Sequence, residues 1–256
     1  MLFQYVFFFC IYPVILYLSI YLGGLYAKRR IKLNKIWKSI GLESSLVSIY
    51  ALLLSFSLVL SSNHAEKRND EIYAVADKLS ILVKKSKYHD TTIKNSLQVY
   101  LKGFFEIHDQ NLKTGRITKE KVISKLMAID QQLDDRLIAY QKLNPEKSHE
   151  IDQLTSYTSD LRSSYIRLTE NYDQSTPTVI IIILIFYSLL IAGLIGFMTI
   201  IDNNQTYVLS AIFLVISTIM VAAIWDLDHP NLGFIRPNYQ SITEISRLFS
   251  QYLKNQ

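Results

Sequence analysis

Hydrophobic positions fall in four long stretches almost free of charge, and polar positions crowd between the second and the third. The clearest stretch, Pro177 to Ile200, reads PTVIIIILIFYSLLIAGLIGFMTI and carries no charged side chain. At 1.5 Å per residue, a helix of that length covers roughly 36 Å, enough to cross a hydrocarbon core of roughly 30 Å with some tilt. Its Ile-rich start would suit a buried strand, but strands rarely pass about ten residues, so length decides for a transmembrane helix. The first stretch is Phe3 to Tyr26, broken only by Gln4 and Pro13. The second is Leu46 to Leu60, diluted by serines, and the fourth is Tyr207 to Trp225. Tyr5, Tyr26, Tyr207 and Trp225 lie near the ends of these runs, where amphipathic rings suit headgroup depth.

Between the second and third runs the apolar spacing turns helical. Ile72, Val75, Ala76, Leu79, Leu82 and Val83 make one stripe, and Ile93, Leu97, Tyr100, Leu101, Phe104 and Phe105 a second. Val122, Leu126, Leu133, Leu137 and Tyr140 make a third. Ile151, Leu154, Leu161, Tyr165, Leu168 and Tyr172 fit a heptad seam with Thr158 as its polar member. Four helices are predicted here. The first continues the second membrane helix, because no Gly or Pro occurs between Leu42 and Gly103. Thr114-Gly115 punctuates a later connection. Asn144-Pro145 predicts the start of the last helix, with Asn as cap and Pro at the first helical position. That helix is expected to run up to Pro177 and hand over to the third membrane helix.

The predicted fold class is an all-α membrane protein: four transmembrane helices with a helical soluble bundle inserted between the second and third. The expected divisions are residues 1–63 with a basic loop at 27–43, the bundle at 64–175, the last two spans at 176–226 and an extramembrane tail at 227–256. Only residues 202–206 separate the third and fourth runs, which predicts a tight turn between antiparallel helices. The end of the second span, the start of the third and the end of the fourth then share one side with the bundle and both termini.

Charge bears on orientation. The net charge is +5, and Lys28, Arg29, Arg30, Lys32, Lys35 and Lys38 oppose only Glu43 after the first run. A basic loop beside a membrane is a topology signal rather than a nucleic-acid site, and no nucleic-acid partner is expected. The positive-inside bias keeps that loop in the cytoplasm and sends the bundle outward. Cys10 is the single cysteine, so neither an internal disulfide nor a cysteine-based metal site can form; inert packing is its expected role. With no basic stretch before the first run and no small-residue cleavage pattern after it, a cleaved signal peptide is not expected.

Candidate chemistry is sparse. Ser44, Ser48, Ser55 and Ser62 are four, seven and seven residues apart and so share one helical face, with Ala51 and Gly41 close to it. Such a face suits close helix contact or the polar lining of a pore. No acid or base lies firmly inside a run, which argues against a proton-coupled transporter but leaves a channel open. Asp226, Asp228 and His229 stand too close together, with no partner motif, for a convincing metal site. They read as a structural turn whose carboxylates pair with cations such as Lys67 or Arg68. His64, His89, His108 and His149 stand singly, and no Gly-x-Ser-x-Gly, His-Glu-x-x-His or phosphate-binding loop occurs. An enzyme is not expected, nor a cofactor.

Trp225-Asp-Leu-Asp-His-Pro230, followed by Gly233 and Pro237, resembles a signature of the bacterial bestrophin-like family, whose members show Leu-Asp-x-Pro, an aromatic, a small residue and Gly. Asp228, His229, Pro230 and Gly233 match; Asn231-Leu232 and Arg236 depart from it. Tyr50-Ala-Leu-Leu-Leu-Ser-Phe-Ser57, then Arg68 and Glu71-Ile-Tyr-Ala-Val-Ala76, is a looser second match. Pro177, opening a membrane helix after one that holds Arg162 and Arg167, is a third. The resemblance implies a multi-pass protein of the bacterial inner membrane with a helical insert. Bestrophins proper are oligomeric anion channels, so it also implies a homo-oligomer, surrounded by membrane lipids and passing a small anion. It implies cytoplasmic termini too, the reverse of the orientation the basic loop predicts. The other reading from the residues is a membrane-anchored sensor or scaffold that self-associates or binds a partner through the 151–172 seam.

Overall fold

A computed structural model describes residues 7–33, 41–114, 119–172, 174–201, 207–230 and 233–255. Among these residues the chain is helical, without strands. A single π turn, Phe7–Ile11, leads into α1 (Tyr12–Lys32). It is followed by α2 (Leu42–Lys85), α3 (Thr91–Thr114), α4 (Lys119–Leu143), α5 (Ser148–Tyr172), α6 (Thr178–Ile201), α7 (Tyr207–Asp228) and α8 (Gln240–Lys254). Four helical segments are long and apolar enough to cross a membrane: Phe8–Lys32, Glu43–Lys85, Thr178–Ile201 and Val208–Asp228.

Several boundaries differ from the sequence reading. Pro13 is the second residue of α1, directly after the π turn, and offers that turn no backbone N–H. α1 continues through Lys28, Arg29, Arg30 and Lys32, so the first part of the expected basic loop is helix, its cations lying at the favourable C-terminal end. Lys35 and Lys38 lie outside the described residues, as do Phe3 to Tyr5, the turn 202–206, Gly115 and Asn231-Leu232. Asn144 stands at the cap position and Pro145 opens the helical turn, as expected, but the Asn144 side chain makes no capping bond. Its side-chain amide donates to the Tyr140 carbonyl (3.0 Å), Pro145–Lys147 forms a short 3-10 turn, and α5 begins at Ser148. Nor does α5 run to Pro177; it ends at Tyr172, and residues 174–177 have no regular secondary structure.

The chain divides into two compact units: Met1–Ala65 with Ser175–Ile235, and Glu66–Gln174 with Arg236–Gln256. In the first, most apolar side chains lie outside, among them Val14, Leu18, Leu22, Phe56, Ile182, Phe186, Ile212 and Ile219. Water would not tolerate so much exposed hydrocarbon; lipid does. Contacts along α1 and α6 advance together, Tyr12 with Ser188 and Tyr26 with Phe197, so these helices run parallel. α2 and α7 likewise advance together, from Tyr50 with Ser217 to His64 with Asp228.

Small residues bring α1 and α6 together. Ser19, Gly23 and Ala27 recur every four residues, as do Ser188, Ala192 and Gly196. A Cβ on Gly23 would fall 1.9 Å from the Gly193 carbonyl oxygen, and one on Gly196 1.9 Å from that of Ile20. The two backbones therefore touch, as small-xxx-small patterns allow between membrane helices. Hydroxyl bonds add to this: Ser19 donates to the Leu189 carbonyl (2.7 Å) and Tyr12 to Ser188 Oγ (2.9 Å).

The second unit packs its helices around one apolar core. The first two predicted stripes are buried, as are Val122, Leu126, Leu133 and Leu137 of the third, around one core. Each fully buried Leu or Ile there, such as Leu79, Leu97 or Leu161, contributes about 1.5–3 kcal/mol. The 151–172 seam is buried in the same core, with Ile151, Leu154, Leu161, Tyr165 and Leu168 each no more than 4% exposed. That corrects its expected role in self-association, because those side chains already have partners within the unit. α8 belongs here too: Ile242 and Phe249 enter the core, and Phe249 packs on Phe105 with ring centres 5.7 Å apart.

Candidate functional site

Two sets of residues from the sequence reading lie in the first unit, the serine face of α2 and the acidic end of α7. With 3.6 residues per turn, Ser44, Ser48, Ser55 and Ser62 lie on one side of α2, while Tyr50, Ser57 and Ser61 lie roughly opposite. Tyr50, Ser57 and Ser61 are buried, and all four predicted serines are exposed. Contact within the unit therefore uses the face opposite the predicted one. Tyr50 hydrogen-bonds Ser217 (2.9 Å), and Ser61 hydrogen-bonds Thr176 (2.8 Å).

Near the start of α2, Ser44 and Ser48 line a cleft of about 450 Å³ together with Glu43 and Thr199. Ser44 Oγ donates to the Gly41 carbonyl and Ser48 Oγ to that of Ser44. These back-bonds satisfy the two hydroxyl protons and leave oxygen lone pairs toward the surroundings, beside the Glu43 carboxylate.

At the other end of the unit Asp226 and Asp228 organise the chain's exit from α7. The Asp226 carboxylate accepts from the Phe234 N–H (2.7 Å) and the Ile235 N–H (2.8 Å), folding the following loop back onto the helix. The Gly233 N–H donates to the His229 carbonyl (2.7 Å). A Cβ on Gly233 would lie 2.7 Å from the Asp226 carbonyl oxygen, so only glycine fits there. Pro230 is buried just past the helix end, where it cannot continue the helix. His229 stacks on Trp225 at 4.5 Å, with its Nδ1 2.8 Å from the Trp225 carbonyl oxygen.

Asp228 accepts from the Thr176 N–H (3.0 Å), and its other oxygen lies 3.9 Å from His64 Nδ1. The outer part of α2, the entry to α6 and the exit of α7 thus meet at one end of the unit. The Asp226 carboxylate is held by two backbone N–H groups, whereas Asp228 takes one, and its other oxygen is buried with no hydrogen-bond partner among the described residues. Lys67 and Arg68 belong to the other unit. Lys67 is exposed, and buried Arg68 donates to the Gln174 carbonyl (3.3 Å).

The sequence reading missed the hydroxyl pairs and the glycine crossing of α1 on α6. The four-residue recurrence of small residues was the available signal. In the second unit, burial holds the His108 imidazole well below its ordinary range, at about 4, beside Tyr165 and Tyr239. Burial also raises the Asp130 carboxyl, against the opposing pull of its partner Arg162. Asp90, exposed, is lowered by its hydrogen bonds from Lys147 and Tyr140.

A family model described as the bestrophin-like domain matches residues 42–240. Among solved structures, the chain is similar to crystal structures of a bacterial bestrophin homolog from Klebsiella pneumoniae. One has 13% identity and a TM-score of 0.69, covering 94% of this chain and 97% of that chain. Two single-mutation variants of the homolog reach 0.70 at 14% identity, one covering 95% of this chain and 97% of that one, the other 93% and 96%. At such identity the likeness concerns the fold. Among curated proteins there is no match.

Proposed function

The chain belongs to the bestrophin-like family, and from that premise we propose that it is a subunit of an oligomeric channel passing small anions across the bacterial inner membrane. One observation carries the reading. The exposed row Ser44, Ser48, Ser55 and Ser62 points away from the side of α2 that packs within the unit. A hydroxyl row can solvate an anion without trapping it once the Ser44 and Ser48 protons turn from the backbone carbonyls to the ion. Four spans with so few intramembrane polar groups cannot enclose water alone, so the path lies between copies, and the serine rows of several copies line it. The second unit then projects from the membrane as a helical bundle inserted between the spans of α2 and α6.

Anion flux into liposomes tests the proposal. Wild-type protein should conduct, and Ser48→Leu combined with Ser55→Leu should largely abolish flux while assembly persists. Absence of flux in the wild type, or unchanged flux in the double variant, defeats it. For orientation, the Lys and Arg residues at the end of α1 favour a cytoplasmic position for that end and an outward bundle. A membrane-impermeant thiol reagent should therefore label Gln110→Cys, in a Cys10→Ala background, from outside the cell. Labelling only after the membrane is opened reverses the assignment and matches the cytoplasmic termini that the family resemblance implies.

A further inference from the structure

A second opening in the first unit has no part in the channel reading. It is a groove of about 480 Å³ between α1, α6 and α7, at the basic end of α1. Its volume falls in the roughly 300–1,000 Å³ of small-molecule sites. Its lining on α1 runs from Tyr17 to Lys28, and the crossing at Gly24 and Gly196 forms part of its wall. At 1.5 Å per residue, Tyr17 to Lys28 spans roughly 16 Å, about half of a 30 Å hydrocarbon core. The groove is therefore as deep as one leaflet. It is apolar along its length and ends at an exposed ammonium in the last turns of α1, next to Arg29. Ser210, only 8% exposed, lines it with a hydroxyl that has no partner among the described residues.

We propose that this groove is a specific site for an anionic phospholipid, with one acyl chain along α1 and α7 and the phosphate on Lys28. The charge argues for a lipid rather than a helix from a second copy. The described spans offer only Glu43 as a carboxylate at this end, and Glu43 lines the separate serine cleft. A lipid phosphate supplies the negative charge at the required depth, and the chain supplies hydrocarbon where the groove is apolar. The site depends on membrane embedding alone and stands whether or not the protein conducts.

Native mass spectrometry of the purified full-length chain, exposed to phosphatidylglycerol or to phosphatidylcholine, tests the site. The wild type should hold one phosphatidylglycerol in preference to phosphatidylcholine. A cation near the membrane surface is worth about 1 kcal/mol toward an anionic lipid, so Lys28→Gln should reduce that preference about fivefold. Lys28→Arg should retain it, and Arg29→Gln, one position round the helix, should leave it nearly intact. Ala211→Trp fills the groove and should displace both lipids. Equal binding of the two lipids by the wild type, no change in Lys28→Gln, or equal losses in Lys28→Gln and Arg29→Gln would overturn the site in favour of diffuse attraction to a basic surface. Should Ala211→Trp fail to assemble, the exposed Lys28 variants still decide the matter.

Discussion

Gly23 and Gly24 are neighbours in sequence and opposites in consequence. The Cβ of Gly23→Ala would meet the α6 backbone at 1.9 Å, whereas that of Gly24→Ala would meet only ordinary contacts at 3.5 Å. Overpacking a fixed backbone crossing costs about 1–3 kcal/mol. Gly23→Ala and Gly196→Ala should therefore lower the thermal unfolding midpoint in detergent, while Gly24→Ala leaves it nearly unchanged. Equal effects of all three would show that the crossing is looser than described. At this scale the sequence was only half legible. Regular spacing put four serines of α2 on a common face, but spacing cannot say whether a face looks inward or outward. The buried hydroxyls proved to be Ser57 and Ser61. The turn at Asp226 and Asp228 was legible as a turn, but its donors were not. Carboxylates in a sequence suggest cations, whereas backbone N–H groups are present at every residue and advertise nothing.

α8 shows what a helix looks like when it is mistaken for a tail. Ile242, Ile245, Phe249 and Tyr252 recur at helical spacing, and the first and third are buried. The signal was there, but at fifteen residues it was short and followed irregular chain. Truncating a core aromatic costs about 3–5 kcal/mol, so Phe249→Ala should sharply destabilise the helical bundle in a proteolysis or melting assay. The same contact region holds His108, whose ring packs on Tyr239 at 5.5 Å, just before α8. Its folded-state value of about 4 lies below the ordinary 6.5, so the unfolded chain binds more protons between those values. Stability from keeping His108 neutral is complete above pH 6.5 and declines as pH falls toward 4, by about 3 kcal/mol in all. His108→Phe should flatten the melting profile over that interval; an unchanged profile would assign the loss to other groups. The α3 and α5 stripes needed no structure to read, because a bundle in water must bury one side of each helix and display the other.

For the whole molecule, the two units obey different solvents. One exposes most of its hydrocarbon, and the other gathers its apolar stripes into a single buried core. Charge density in the sequence separates the apolar runs from the polar stretch between them, but it gave no sign that Arg236–Gln256 joins the second unit. Extraction should follow the division into units: the chain should require detergent, and a fragment of the first unit alone should stay in the membrane fraction after an alkaline wash. Appearance of that fragment in the supernatant would contradict lipid embedding. What the sequence could not supply was the pairing of spans, which depends on glycines that carry almost no hydropathy signal.

The direct meeting of α1 with α6 has a mechanical corollary. Where side chains cushion a seam, rotamers can rearrange and let helices slide; where carbonyl oxygens abut glycine Cα atoms, no soft layer exists to yield. These two spans therefore act as a single splint. Any rearrangement among the spans should leave them joined and occur at α2, whose contacts with its neighbours run through hydroxyls and branched chains that can re-form one step along.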